Sequence, residues 1–502
     1  MALHLSLPKT GEGQRGQFAL TSEQVGSWLR DLPDNDPIER GRQILSRLAD
    51  MNRSRVRVTL RQDVSEQIRA HVFALLPELD SSLASGTLPL SNSSRSAAGI
   101  LEDLVTELAY SYKLLLVEQA RRLFGLASSG RAVLPVVRAM QLLARRLTLG
   151  YRVYATNAKG VWLELHELYQ FALRRGLAGR SLPGESDTPL SVYRDALLIA
   201  FAEPLKLMQG DLDRVSAWLA RFGTLATLGS AGQTRAGQGV FLIKPQRDVP
   251  GYALAKRHHP VPHGHDLMLS TLPAAEALLD QLAKLAAGED AAALGLPPEA
   301  SEPAFRDLMG RLVKHWGAVP NRRFTRLRTH ARVEISVGIR GIWSFLNHRP
   351  SDTRPGEWMV TNESPRGFAL LHVGGPIEQI RVGEVIGLRT HDSQTCHVCV
   401  VRWVLSDNPE HLELGLEELA PTARPVSLRT AAMPKPQESQ PVLLLPEVPS
   451  LNQAPAILAP LFPLDATCEL NLGELQSRLR VRATRLLERT VSVQVVQFSA
   501  VG

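Results

Sequence analysis

The spacing of the apolar residues changes once along this chain, and that change most constrains what it can fold into. From Thr21 to about residue 225, apolar side chains recur at three- and four-residue steps. After Asn321 they fall into short β-prone runs separated by turns. A helix-period pattern does not settle into a sheet, nor a strand pattern into a helix, so a helical part followed by a β-rich part is expected, in a multidomain chain. In the first part, Leu101, Leu104, Val105, Leu108, Tyr112, Leu115 and Leu116 fall on one helical face. Trp162, Leu165, Tyr169, Ala172 and Leu173 form a second stripe, on a helix expected to end near Gly176 after Arg174 and Arg175. Segment 189–222 continues the spacing, with Trp218 near its end. These patterns predict an all-α N-terminal bundle or solenoid-like module over residues 21–225. The Trp162 stripe has the look of one tetratricopeptide helix, but no 34-residue recurrence supports a repeat, and an ordinary bundle is favoured.

The remaining segments follow from the same reading. Residues 1–20 are expected to be disordered. Residues 226–320 read as a mixed connector, with a strand at Val240–Ile243 and helices near 272–287 and 302–316. Runs at 331–346, 357–361, 367–373, 379–388, 396–405 and 411–418 predict a small antiparallel β-barrel over 321–420. Residues 421–441 hold five prolines and no period, which predicts a linker. Residues 442–502 read as a C-terminal β-rich domain ending in a hairpin through 478–498.

At 502 residues the chain is too long for one core, and its 44% hydrophobic and 21% charged content suits a soluble globular protein. The first residues turn polar after residue 8, unlike a secretory signal, and no run approaches the roughly 18 apolar residues of a membrane span. Cys396, Cys399 and Cys468 are too few and odd in number for a disulfide framework. The expectation is a cytoplasmic protein without direct membrane insertion.

The net charge of +7 is small for this length, so its distribution matters more than its sum. Five arginines, at 322, 323, 326, 328 and 332, fall together with no acid among them. Yet residues 321–420 hold 12 arginines, no lysine and 12 acids. A neutral domain with one short arginine arm suits a compact anion better than a nucleic-acid polymer. The guanidinium fork meets phosphate with two hydrogen bonds and its flat face stacks on a base. The second element is Asn362-x-Ser364-x-x-Gly367, between Trp358-Met359-Val360 and Phe368-Ala369-Leu370-Leu371. Asn presents donor and acceptors to a base edge, Ser does either, and Gly allows a positive φ or a close backbone approach. Each element alone is ordinary: an arginine run is commonly a solvated face and an Asn-x-Ser turn commonly turn chemistry.

As a pair, Arg322-x-x-x-Arg326 followed by Asn362-x-Ser364-x-x-Gly367 resembles the two signature motifs of PilZ domains, receptors for the bacterial second messenger cyclic di-GMP. A later strand with Val400-Val401-Arg402-Trp403-Val404 and a closing strand ending in Leu414-Gly415-Leu416-Glu417 fit the resemblance, which covers about 100 residues. It implies that Arg322 and Arg326 hold the ligand phosphates and stack on a guanine, with Arg323 as a neighbour. It implies that Asn362 and Ser364 read a guanine edge, and that Gly367 lets the turn close. It further implies a population shift on binding, here passed to a protein partner through the helical domain. Two features depart from the family pattern. Arg326 and Asn362 are 36 positions apart, with the excess placed in 347–356, and Asn stands where many relatives carry Asp.

The long spacing motivates an alternative: an interaction scaffold whose PilZ-like barrel no longer binds nucleotide. Single-stranded RNA binding is a third reading, disfavoured by the 5% aromatic content. His258, His259, His263, His265 and Asp266 cluster in an irregular stretch, and Cys396-x-x-Cys399 lacks a second pair, so no metal is expected. Glu276-Ala277-Leu278 spells a cyclic di-GMP phosphodiesterase motif name but lacks the accompanying metal-binding carboxylates. With no Walker loop, no Gly-x-Ser-x-Gly elbow and no cyclase turn, the chain is expected to be non-enzymatic and to need no cofactor.

Overall fold

The computed structural model describes residues 3–8, 18–84, 86–122, 130–156, 158–231, 237–256, 259–318, 327–347, 356–390, 395–408, 411–430, 439–447, 454–462, 467–471, 478–490 and 492–501. It divides into two compact units. One comprises Met1–Ser85, Leu90–Pro204 and Gly210–Asn321, the other Gly86–Pro89, Leu205–Gln209 and Arg322–Gly502.

The first unit opens with α1 (Ser22–Arg30), α2 (Pro37–Arg53), α3 (Val58–Ser81), α4 (Asn92–Arg122), α5 (Val133–Arg152), α6 (Val161–Arg174), α7 (Pro189–Phe201) and α8 (Asp211–Phe222). Local sequence sets several starts. Thr21 and Gln24 form a capping box on α1, Asp36 accepts from two amides of α2 ahead of Pro37, and Thr188 caps α7 ahead of Pro189. The long α4 packs against α2, α3 and α5, and its expected stripe from Leu101 to Leu116 is buried. In α6 the second stripe is buried except Leu173, which is 44% exposed. The helix gives way at Gly176, whose φ of +66° a residue with a Cβ adopts only under strain.

Two expectations for this unit are corrected. Residues 3–8 are not free: the amide of His4 donates to Glu167 Oε1 at 2.7 Å and that of Ser6 to Glu164 on α6, with Leu3 and Leu5 half-buried in alternation. Residues 226–320 are not a separate connector. Strands β1 (Thr227–Ser230), β2 (Val240–Ile243), β3 (Tyr252–Ala253) and β4 (Leu267–Ser270) form an antiparallel sheet in the order β1-β4-β2-β3. Helices α9 (Leu272–Ala286) and α10 (Pro303–Trp316) follow. Trp316 is fully buried and donates to the Leu198 carbonyl, and Trp218 donates to Gln281. Both contacts join this region to the helical array within one core.

The second unit holds two barrels. The first contains β5 (Leu327–Arg328), β6 (Arg332–Val337), α11 (Gly338–Leu346), β7 (Glu357–Ser364), β8 (Gly367–Gly374), β9 (Val385–Thr390), β10 (His397–Asn408) and β11 (His411–Ala420). The strand order β5-β7-β6-β9-β10-β11-β8 is joined end to end by β7–β8 pairing, so six strands close a ring and β5 lies beside β7. The second is a closed barrel of β12 (Arg424–Thr430), β13 (Gln440–Leu445), β14 (Ala456–Pro460), β15 (Thr467–Asn471), β16 (Arg478–Arg489) and β17 (Val493–Ala500), in the order β12-β13-β14-β17-β16-β15. The hairpin expected through 478–498 is β16–β17.

Two sequence expectations fail here for physical reasons. The run 331–346 is a strand only to Val337. Ile339, Ile342, Trp343 and Leu346 then recur at helical spacing and turn into a shared core. The linker expected at 421–441 contains β12 and the start of β13. Pro425 is tolerated because it pairs only with Leu443 on β13, while β15 joins β12 from Ser427 onward. Val426 and Leu428 alternate inward, 2% and 0% exposed.

One apolar cluster joins the barrels. Ile339, Ile342, Val385, Cys396 and Val398 of the first pack with Leu443, Leu445, Leu458, Val493 and Val495 of the second. Trp343 Nε1 donates to the Val426 carbonyl at 3.3 Å.

Candidate functional site

The turn between β7 and β8 carries the polar motif, and a one-residue irregularity decides which way it faces. Trp358 and Val360 point inward, 2% and 3% exposed. Simple alternation would continue that inward row through Asn362 and Ser364. Instead Val360 pairs with Leu370 while Asn362 pairs with the adjacent Ala369, which leaves Thr361 as an extra residue. This bulge reverses the facing, so Asn362 and Ser364 turn outward. A second bulge acts on β10. Val401 pairs with Leu416 and Trp403 with Gly415, so Arg402 is extra and Trp403 turns away from the inward row of Val401.

The two bulges bring an outer row into register. Arg328 pairs with Asn362, Asn362 with Ala369, Ala369 with Gly415 and Gly415 with Trp403. At about 4.8 Å per strand, Asn362 and Trp403 stand about 14 Å apart along the sheet. Between them the floor is low at Ala369, and the bare Gly415 makes room for the Trp403 side chain. The Trp403 indole lies over Gly415, with Nε1 1.7 Å from where a Cβ on that glycine would stand. An aromatic face, a low floor and an amide at the far side suit a flat heteroaromatic ring that stacks and is read at its edge. Asn362 is half-buried, and its amide has no hydrogen-bond partner among the described residues.

The other two turn residues have structural work of their own. Ser364 donates its hydroxyl hydrogen to the Gly367 carbonyl at 3.2 Å, which closes the turn and leaves its lone pairs to a ligand. Gly367 is required by the neighbouring strand: a Cβ there would stand 2.0 Å from the Leu416 carbonyl oxygen. Arg366, at the tip, reaches Glu417 only at 3.9 Å, and its Nε is buried with no hydrogen-bond partner among the described residues. Glu417, opposite Gly367 on β11, accepts instead from Arg402 Nε at 2.7 Å. Partial burial opposes the Arg402 charge, but its bonds to Glu488 and Glu417 outweigh that and leave its pKa raised.

Arg322, Arg323 and Arg326 lie outside the described residues. The chain that follows them is placed. Leu327 pairs with Glu363 and Arg328 with Asn362, so the strand leading out of the arginine run is laid directly along the polar motif. Trp403 and Arg366 stand in the candidate site, and neither is singled out by the two sequence motifs. The signal available was a conflict of phase, since Asn362 and Ser364 fall on the same parity as Trp358 and Val360.

The weaker constellations acquire ordinary partners. Asp266 accepts from Lys244 Nζ at 3.1 Å and from the His263 amide at 2.8 Å, and His258 is outside the described residues. No group of three metal-ligating side chains is found among the described residues. Cys396 and Cys399 are buried, and burial pushes the Cys396 thiol up to about 11. Glu276-Ala277-Leu278 is one turn of α9, with Leu278 buried in its packing face. No described helix is long and apolar enough to cross a membrane.

Comparison with known families matches three consecutive stretches. Residues 23–233 match the N-terminal domain of the cyclic-di-GMP receptor FimW, residues 347–425 its middle PilZ domain, and residues 426–501 its C-terminal β-barrel domain. The chain belongs to this family. The curated cyclic-di-GMP receptor FimW of Pseudomonas aeruginosa is 24% identical, in an alignment covering 92% of this chain and 88% of that one. The family's middle and C-terminal domains meet at residues 425 and 426, inside β12, where the first barrel hands over to the second. The matched PilZ stretch begins at residue 347, after the arginine run.

Proposed function

We propose that this chain is a non-enzymatic receptor for cyclic di-GMP, and that the ligand binds on the outer row of the first barrel. A guanine lies over Ala369 against the Trp403 indole, with its edge read by Asn362 and Ser364. Arg322, Arg323 and Arg326 close over the phosphates, and Arg366 supplies a further cation at the turn. The observation that carries this reading is the register of β5. It leads the chain that follows the arginine run alongside Asn362, which supports the two motifs acting together although 36 positions separate them. The relative from Pseudomonas aeruginosa, named as a cyclic-di-GMP receptor and matched over nearly the whole chain, supports the same ligand. The bound state is passed to a protein partner through the helical unit, in the cytoplasm, without catalysis.

A ligand that binds only the folded state raises its melting temperature. Melting of the full chain is therefore followed with cyclic di-GMP, cyclic di-AMP and GTP. A rise with cyclic di-GMP that exceeds both others supports the assignment. Identical melting with and without cyclic di-GMP at saturating concentration sinks it and leaves the scaffold reading.

A further inference from the structure

A line of alternating charges runs from the polar turn into the second barrel. Arg366 stands at the turn, Glu417 beside it on β11, Arg402 next on β10, and Glu488 on β16 of the second barrel. Arg402 Nε donates to Glu417 Oε2 at 2.7 Å. Its two terminal nitrogens both go to Glu488, Nη2 to Oε2 at 2.8 Å. The guanidinium is therefore divided, one donor for the carboxylate at the turn and a two-bond fork for the carboxylate in the other barrel. The weakest link is at the turn, where Arg366 and Glu417 are 3.9 Å apart.

An anion at the turn must draw Arg366 away from Glu417. How strongly Glu417 holds Arg366 depends on how much of Arg402 it receives, and Glu488 sets that share. We propose that Glu417 is a latch on Arg366, and that Glu488, through Arg402, is a positioning residue by which the second barrel tunes the nucleotide turn of the first. This inference rests on the reading that the turn takes cyclic di-GMP.

The signs are specific. Glu488→Gln frees the Arg402 fork to turn to Glu417, which loosens the latch and strengthens binding. Glu417→Gln removes the latch and one negative charge from the ligand face, and also strengthens binding. Arg402→Met leaves Glu417 to Arg366 alone and weakens binding, and Arg402→Met combined with Glu417→Gln restores it. Half-exposed ion pairs support changes of roughly two- to fivefold.

The experiment is calorimetric titration of cyclic di-GMP into the full chain and these four variants. Tighter binding by Glu488→Gln and weaker binding by Arg402→Met, reversed in the double variant, is expected. An unchanged or weakened Glu488→Gln overturns the proposal, and that variant remains informative if Arg402→Met does not fold. Amide exchange at residues 363–368 without ligand separates the two readings. If the wild type gives no heat, the ligand assignment fails, yet faster exchange in Glu488→Gln still supports the latch. Unchanged exchange sinks the latch as well.

Discussion

Two glycines in the outer row exclude a side chain for different reasons, and the difference separates folding from binding. A methyl on Gly367 meets the Leu416 carbonyl, which is backbone held in a sheet, whereas a methyl on Gly415 meets the five-membered ring of the Trp403 indole, a side chain that must turn aside. Gly367→Ala should therefore lower the melting temperature of the second unit. Gly415→Ala should lower melting less than Gly367→Ala but displace the indole. The affinity for cyclic di-GMP then falls by what base stacking contributes, about 1–3 kcal/mol, or roughly 5- to 150-fold. In the first unit, His166 is buried, with Nε2–H donating to the Val249 carbonyl at 3.0 Å and Nδ1 accepting from the Tyr193 hydroxyl at 2.5 Å. Burial lowers its pKa from 6.5 to about 4. The unfolded chain takes the proton first as pH falls, so this contribution is complete above pH 6.5 and is lost on the way down to about pH 4. The loss is about 3 kcal/mol. Denaturant titrations at pH 7 and pH 4 check it, because His166→Gln should lose that much less stability across the interval.

Among the elements, legibility follows period. The stripes on α4 and α6 were readable because each side chain repeats one packing decision, and the strands of the first barrel were readable as short runs between turns. The bulges at Thr361 and Arg402 were not, since a single extra residue reverses the facing of everything after it without changing composition. For the same reason Asn362 and Ser364 were legible as a motif, while Trp403 became part of the site only through its register with Gly415. Helix α11 was hidden inside a β-prone run because part of its apolar face packs on the second barrel, far along the chain, where Ile339 and Ile342 share one cluster with Leu443 and Val493. Strand β12 was masked by Pro425. Ile342 on α11 is fully buried in the shared cluster. Ile342→Ala should cost about 2–5 kcal/mol and lower the stability of both barrels together. Amide exchange read separately on β9 and β14 should show the loss in each.

On the scale of the whole molecule, the shared cluster makes the two barrels one folding unit, so the apparent domain boundary near residue 421 is no place to cut. A fragment 317–421 exposes Ile339, Val385 and Val398, which the second barrel otherwise covers. It should bind a hydrophobic dye and give a collapsed amide spectrum, whereas the full chain does neither. Ligand measurements belong on the full chain for that reason. The most direct test of the central claim is calorimetric titration of cyclic di-GMP into the full-length wild type, Arg326→Ala and Asn362→Ala. Loss of a charge-assisted contact costs about 1.5–3 kcal/mol. The wild type should therefore give a saturable heat and Arg326→Ala roughly 10- to 100-fold weaker binding. Asn362→Ala should also be weaker, with all three proteins melting alike. Equal heats in all three, or no heat in the wild type, would contradict it.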